Sequence, residues 1–421
     1  MIRSLFFVLI ATCLVVTTPE FSFAKESSGK PSKSGFKGDV GFGGPTSVGE
    51  QLREDDELKE PAFRFPGFDA FFTPWFEWKK KINDQYGLQL GFDYNVLYQG
   101  ASDTLPRNED QAASGAVRFF GRWTLFGRDT KNPGTLVFKV ENRHRVGTDI
   151  PPSQLGFDIG YNGITGLLFS DAGTILVDLN WQQLFNGGRG GLIVGRFDPN
   201  DYMDVSGQTN PWTTFSNLAI SVNTSIALPD SSAGLGLGHW IGEQVFVLGG
   251  LNDANGVVDE VEFFEHGAEF YTYFELGWTP SRAQRYTNHI HATFWHVDER
   301  QDAGVPESEG IAMGGNWTFA EKWMLFFRAG WSDGIAPLMN ETITGGVLRR
   351  VHKRDLLGLG FNWGDPSDDM LRDQYSTEVF YRFQFAQNLA LTPSLQWLVD
   401  PALNPEEDQI FVWGLRMRLT L

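Results

Sequence analysis

The sequence predicts an all-β protein, a transmembrane antiparallel β-barrel of about sixteen strands preceded by a short N-terminal helix. Three observations predict it. Long stretches alternate apolar and polar residues with period two, the period of a strand and not of a helix. The apolar faces are almost unbroken Trp, Tyr, Phe and Leu, while Arg and Glu return on the other face strand after strand. Beyond the N-terminus no apolar run approaches the ~20 residues that a spanning helix needs. A soluble sandwich would alternate too, but a closed sheet in lipid requires this arrangement: an apolar belt with aromatic girdles outside and a polar, watery interior.

The first 24 residues read as a secretion signal. Arg3 supplies the positive start, Leu5 to Val16 the apolar segment, and Ser22-Phe23-Ala24 a small-x-small cleavage site. Cys13 is the only cysteine, so cleavage would leave a mature chain without disulfides, cysteine metal ligands or thiol chemistry. Thr12 before Cys13 fits a lipid-attachment site poorly. Residues 25–66 are rich in Gly, Ser, Lys and Pro and then acidic, without apolar periodicity, and read as a flexible periplasmic extension. A short helix is expected over residues 74–86, with Thr73 as cap, Pro74 in the first turn and Gly87 as stop.

Residues 67–421 are the expected barrel, with strands from about Leu88. Val117, Phe119, Trp123 and Leu125 oppose Arg118, Phe120, Arg122 and Thr124. Leu136, Phe138 and Val140 oppose Lys139, Glu141 and Arg143, and Ile175, Val177, Leu179 and Trp181 oppose Asp178 and Asn180. Later, Trp323, Leu325, Phe327 and Trp331 oppose Arg328, and Leu357, Leu359, Phe361 and Trp363 oppose Asn362. At the C-terminus Val379, Tyr381, Phe383 and Phe385 oppose Glu378, Arg382 and Gln384, and Phe411, Trp413, Leu415, Met417 and Leu419 oppose Gly414, Arg416, Arg418 and Thr420. Roughly 350 residues at about 22 per strand and connection give about sixteen strands. Between Ser206 and Gly310 the alternation blurs and strands are not assignable.

The stretch EVFYRFQFAQNLALTPSLQWLVDP from Glu378 and the closing WGLRMRLTL resemble the C-terminal signature of the OprB-type carbohydrate-selective porins. GTLVFKVENRH from Gly134, GRFDPNDYMD from Gly195 and GLGFNWGDPS from Gly358 look alike as well. The resemblance implies a sixteen-stranded barrel of the bacterial outer membrane, inserted by the barrel-assembly machinery, that passes small sugars without a cofactor. It implies a constriction bordered by arginines, acidic residues and aromatics, and leaves a monomer or a homotrimer open. The segment from Asp198 to Asn217 then suits a loop folded into the pore. Barrels of this class usually end in Phe, and this chain ends in Leu421.

The formal net charge is −18, which disfavours nucleic acid as a partner. Acidic loops keep the rims solvated or bind divalent ions at the membrane surface. His289 and His291 share a face, a spacing that also suits zinc, with a pore-lining role the simpler reading. Asp198, Asp201 and Asp204 have carboxylates for calcium, though turn formation and capping account for them. No G-x-S-x-G, P-loop or dinucleotide fingerprint stands out, so no enzymatic activity is expected.

The residues expected to carry function are inward-facing. Arg118, Phe120 and Arg122, and again Glu378, Phe380 and Arg382, each put an aromatic ring between charged groups on one side of a strand. A ring stacks on the C–H face of a sugar, and ionic or amide groups take its hydroxyls. Arg143, Asp178, Asn180, Arg196, Arg416 and Arg418 extend the same track, or brace the wall by pairing across strands. Two other functions stay open: a general or cation-preferring pore, and an exported lectin or glycan-active protein on a soluble β-scaffold.

Overall fold

A computed structural model describes residues 42–421 apart from 58, 208, 262, 266 and 352–354, with all their side chains except those at 68 and 69. The expected signal segment lies outside the described residues. Among the described residues sixteen strands run up and down and close, first on last, into one antiparallel barrel. The strands are β1 (Leu88–Ala101), β2 (Gln111–Phe126), β3 (Gly134–Arg145), β4 (Gly173–Phe185), β5 (Gly190–Phe197) and β6 (Ser232–Ile241). Next come β7 (Val245–Asp253), β8 (Phe270–Trp278), β9 (Asn288–Val297), β10 (Ser308–Phe319) and β11 (Trp323–Asp333). The last five are β12 (Met339–Val351), β13 (Asp355–Pro366), β14 (Gln374–Ala386), β15 (Leu389–Val399) and β16 (Gln409–Thr420).

The two ends differ. At one end most strands join by tight turns, such as 186–189, 242–244, 320–322 and 387–388. At the other end lie the loops 146–172, 198–231 and 254–269. The alternation read from the sequence sets the facing. In β16 Phe411, Trp413 and Leu415 are exposed on the outside, while Val412, Arg416 and Arg418 are buried within. The outer surface carries the two aromatic girdles that amphipathic rings form at membrane–water boundaries. Trp123, Trp181, Trp278, Trp317 and Trp323 ring the short-turn end, where Trp278 and Trp317 stack with centroids 6.5 Å apart. Tyr98, Trp331, Trp363, Trp397 and Phe411 ring the long-loop end, where Trp397 and Phe411 stack at 6.2 Å.

One facing expectation is corrected. Ile175 and Val177 are not on the lipid side but buried. The pairing jumps from Lys139↔Asp178 to Val140↔Leu176, so Val177 is an extra residue in β4. Such a bulge reverses the facing of everything beyond it, and Ile175 lands opposite lumen-facing Glu141.

The N-terminal expectations also change. Where the sequence suggests a flexible extension, the structure has helix α1 (Val48–Asp56) inside the barrel, with Val48, Glu50, Gln51 and Leu52 buried. Val48 and Leu52 pack on Phe120 and Val137 of the wall, a contact only the closed barrel supplies. The expected helix over 74–86 is the second half of α2 (Pro66–Tyr86). Pro66 occupies the first turn, as proline prefers, while Pro74 sits within the helix, where its ring removes one backbone donor. Gly87 stops α2 as expected, with φ of 70° and its N–H on the carbonyl of Asn83 at 2.8 Å.

The blurred region resolves into β6 to β9. In β6 the inner face carries Gly234, Gly236 and Gly238 between Ser232 and Trp240, so little side chain marks it. In β8 and β9 the inner face includes Tyr271, Tyr273 and Trp295, which pack on Met203 and Ile226 of loop 198–231. An inward apolar group is stable there because protein, not water, covers it. Leu415 is half exposed near the middle of β16. Leu415→Arg is expected to cost about 2–4 kcal/mol, measured by urea unfolding of the barrel in lipid vesicles.

Candidate functional site in the barrel lumen

The lumen is largely filled by three segments of the chain itself. Loop 198–231, henceforth the constriction loop, folds inward as expected and continues past Asn217 to a short helix α4 (Leu218–Ser221) and on to β6. Loop 146–172 carries helix α3 (Pro152–Asp158), whose Leu155, with Ile159 and Tyr161, packs on Ala101, Ala112, Leu398, Ile410 and Val412 of the wall. From the short-turn end enters residues 42–57 with α1.

Inward side chains of the wall hold the constriction loop by matching its backbone. Glu378 accepts from the N–H groups of Ser216 at 3.0 Å and Asn217 at 2.9 Å. Arg416 donates to the carbonyls of Pro211 at 2.6 Å and Thr214 at 2.7 Å. Arg328 donates to Ser221 and Ile220, at 3.1 and 2.5 Å. Phe380 meets Phe215 edge-on at 5.0 Å. His289 and His291 face the lumen and join this set, His289 at 2.9 Å from the Val205 carbonyl and His291 at 2.9 Å from Asp204. His296 faces outward and pairs with Asp298 at 3.2 Å.

A second group holds α1. Arg118 and Arg418 both reach Asp93, with Arg118 Nε 2.7 Å and Arg418 Nη2 2.8 Å from its carboxylate. Arg118 also donates to Gln51 at 2.6 Å, and Arg418 pairs with Asp55 at 2.9 Å. Arg382 pairs with Glu54 at 2.7 Å. Burial alone would push the Glu54 carboxyl up, but Arg382 and Arg418 overcome that and hold it well below the usual carboxylate range. Phe120 is fully buried beneath α1.

The third group lies between β3, β4 and the start of the constriction loop. Lys139 pairs with Asp178 at 2.8 Å and Asp201 at 3.0 Å. Arg143 pairs with Glu141 at 2.7 Å. Asn180 donates to the carbonyl of Arg196 at 3.2 Å, and Arg196 donates to those of Leu176 and Val257, each at 2.7 Å. Burial, and then the neighbouring Asp201 carboxylate, push the Asp198 carboxyl up.

Two cavities lie beside these groups. The smaller, about 60 Å³, is bounded by Lys139, Glu141, Arg143, Asp198, Asp201 and Trp212. The larger, about 140 Å³, opens toward the short-turn end and is bounded by Arg122, Gln182, Tyr202, Tyr273 and Tyr286. The chain at 43–47 stands between them, Gly43 and Ser47 bordering the larger and Pro45 and Thr46 the smaller. Gly44 N–H binds the Asp201 carbonyl at 2.6 Å, and Asn210 donates to that of Pro45 at 3.0 Å.

Of the twelve residues expected on the inward track, Arg122 and Arg143 border a cavity. Arg118, Phe120, Arg382 and Arg418 gather around α1, Glu378, Phe380 and Arg416 around the constriction loop, and Asp178, Asn180 and Arg196 behind the smaller cavity. Sequence reasoning missed Trp212. Its ring lies 4.2 Å from the Arg118 guanidinium and 6.0 Å from that of Arg143, with Phe169 edge-on at 5.1 Å. A bulky aromatic in a long segment without alternation was its only signal.

Residues 313–421 match the carbohydrate-selective porin, OprB family. Porin AaxA of Chlamydia pneumoniae is 24% identical over 323 residues, which are 71% of this chain and 70% of that protein. Among solved structures, OprB of Pseudomonas putida superposes with a TM-score of 0.64 at 14% identity, covering 82% of this chain and 97% of that one. A variant of Rhodopseudomonas blastica porin gives 0.51 at 12% identity, covering 79% and 100%.

This chain is a bacterial outer-membrane porin. Its last part, residues 313–421, carries the similarity to the OprB family. In outer-membrane barrels the short turns face the periplasm and the longer loops the exterior. The porin therefore admits its N-terminal segment from the periplasmic mouth, while the constriction loop descends from outside. Deleting residues 42–57 is expected to join the two cavities and raise single-channel conductance in planar bilayers. Glu378→Ala leaves two backbone donors of the constriction loop unmatched, and should destabilise its docking by on the order of 3 kcal/mol, read as increased open-channel noise.

Proposed function

We propose that this porin passes small sugars down their gradient, and that the smaller cavity is where they are selected. The observation carrying this is Trp212, flanked by Arg143 and the Lys139–Asp201 pair. The ring offers an apolar surface to sugar C–H groups, and the ionic groups around it exchange hydrogen bonds with hydroxyls. The family's description as carbohydrate-selective supports the same reading. Passage is diffusive: no bond forms or breaks, no cofactor takes part, and the contacts are weak enough for the solute to leave. Arg122, at the larger cavity, continues the track toward the periplasm.

A second reading has one observation in its favour. Glu141, Asp198, Asp201 and Asp204 border the smaller cavity against Lys139 and Arg143, an acidic balance that suits a cation-preferring pore. Current block separates the two. Glucose or maltose should block the sugar pore at concentrations where unrelated neutral solutes do not, and Trp212→Leu should weaken that block about fivefold, the equivalent of about 1 kcal/mol. No block in the parent protein, together with a strong cation preference in a salt gradient, would establish the second reading.

A further inference from the structure

Helix α2 is amphipathic in a way its protein contacts do not explain. At 100° per residue Phe71, Trp75, Trp78 and Ile82 fall on one stripe. Lys80, Asp84 and Glu77 fall on the opposite side. Lys79 points toward the barrel rim, where its ammonium meets the Leu421 carbonyl at 3.2 Å and Asp56 at 3.5 Å. With Lys79 fixed there, the stripe faces sideways from the rim and the charged side away from it. Phe71 is 75% exposed and Trp78 44% exposed. Water would be a poor neighbour for that much aromatic surface.

Both ends of α2 are tied to the level of the membrane boundary. Before it, the chain crosses onto the outer, lipid-facing wall: Phe63 lies 5.1 Å and Phe65 5.7 Å from Phe385, and Phe63 N–H binds the Phe385 carbonyl at 3.0 Å. After it, Trp123 of the periplasmic girdle donates its indole N–H to the Tyr86 carbonyl at 3.1 Å. The aromatic stripe is thus continuous with the surface that the barrel already presents to lipid. Arg64 and Lys81 add positive charge beside it, which suits anionic headgroups.

We infer that α2 is an interfacial helix, docked by Phe71 and Trp78 into the headgroup–acyl boundary of the inner phospholipid leaflet of the outer membrane. Its occupant is phospholipid, and the helix holds the N-terminal segment at the barrel's rim from outside while α1 holds it from within. An amphipathic helix with aromatic residues on one face and lysines on the other binds lipid surfaces in this way.

Single cysteines at Phe71, Trp78 and Lys80, in a chain carrying Cys13→Ser, test the inference after labelling with a polarity-sensitive fluorophore. The full protein is reconstituted in phosphatidylethanolamine vesicles containing phosphatidylglycerol. Labels at 71 and 78 should be quenched by a shallow nitroxide lipid and shielded several-fold from aqueous iodide, relative to the label at 80. Equal iodide access at all three positions would overturn the docking. Shielding at 71 and 78 that disappears as the protein is diluted in lipid would assign the stripe to a second copy instead, and would overturn it equally. The double variant F71E/W78E gives an independent reading: trypsin cleavage at Lys80 and Lys81 should rise sharply in vesicles, and unchanged cleavage would count against the helix being held by lipid.

Discussion

Hydrocarbon offers no partner to an unpaired backbone N–H or C=O, so the join of the first strand to the last is the constraint on which this molecule rests. β1 and β16 pair from Asp93↔Thr420 to Ala101↔Val412. On the inner side of that seam Asp93 takes the guanidinium of Arg118 from β2 and of Arg418 from β16. All three side chains are buried. Buried charges are tolerated only when geometry and further hydrogen bonds satisfy them, and here Gln51 and Asp55 of α1 supply the remainder. The lumen helix is therefore part of the charge balance of the closure, not an appendage that happens to enter the mouth.

The same logic runs around the wall. Where the constriction loop turns N–H groups outward, at Ser216 and Asn217, the wall presents a carboxylate; where it turns carbonyls outward, at Pro211, Thr214, Ile220 and Ser221, the wall presents guanidinium groups. Where it presents Phe215, Met203 and Ile226, the wall is aromatic. A loop without regular structure has many backbone groups to satisfy, and these inward residues satisfy them in place of water. That accounts for charged and aromatic residues sharing one inner face.

The barrel was legible because lipid imposes one rule on every outward residue, and Phe411, Trp413 and Leu415 or Leu325, Phe327 and Trp331 obey it without exception. The inner face was legible only in polarity. Whether Arg416 meets water or a loop carbonyl depends on where residues 198–231 travel, and nothing within β16 encodes that path. Helix α1 was hidden for the same reason. Its short, acidic sequence has little apolar periodicity, since half its partners are arginines of the wall. Ile175 was misplaced because a bulge leaves no mark in a run of alternating residues. Trp212 went unnoticed because it stands in the constriction loop, where no strand period singles it out.

These contacts also decide which residues can select a solute. A guanidinium committed to two carbonyls at 2.6 and 2.7 Å, as in Arg416, has little to offer a passing hydroxyl without releasing the loop it holds. A residue that serves passage must border open space and keep donors or a ring face directed there. Arg143 and Trp212 on one side of residues 43–47, and Arg122 with the tyrosines on the other, border such space. On the proposed reading, bracing and selection are divided among different members of one inward array. The division follows from where the lumen segments lie, so moving the constriction loop would redraw the pore without changing a single strand.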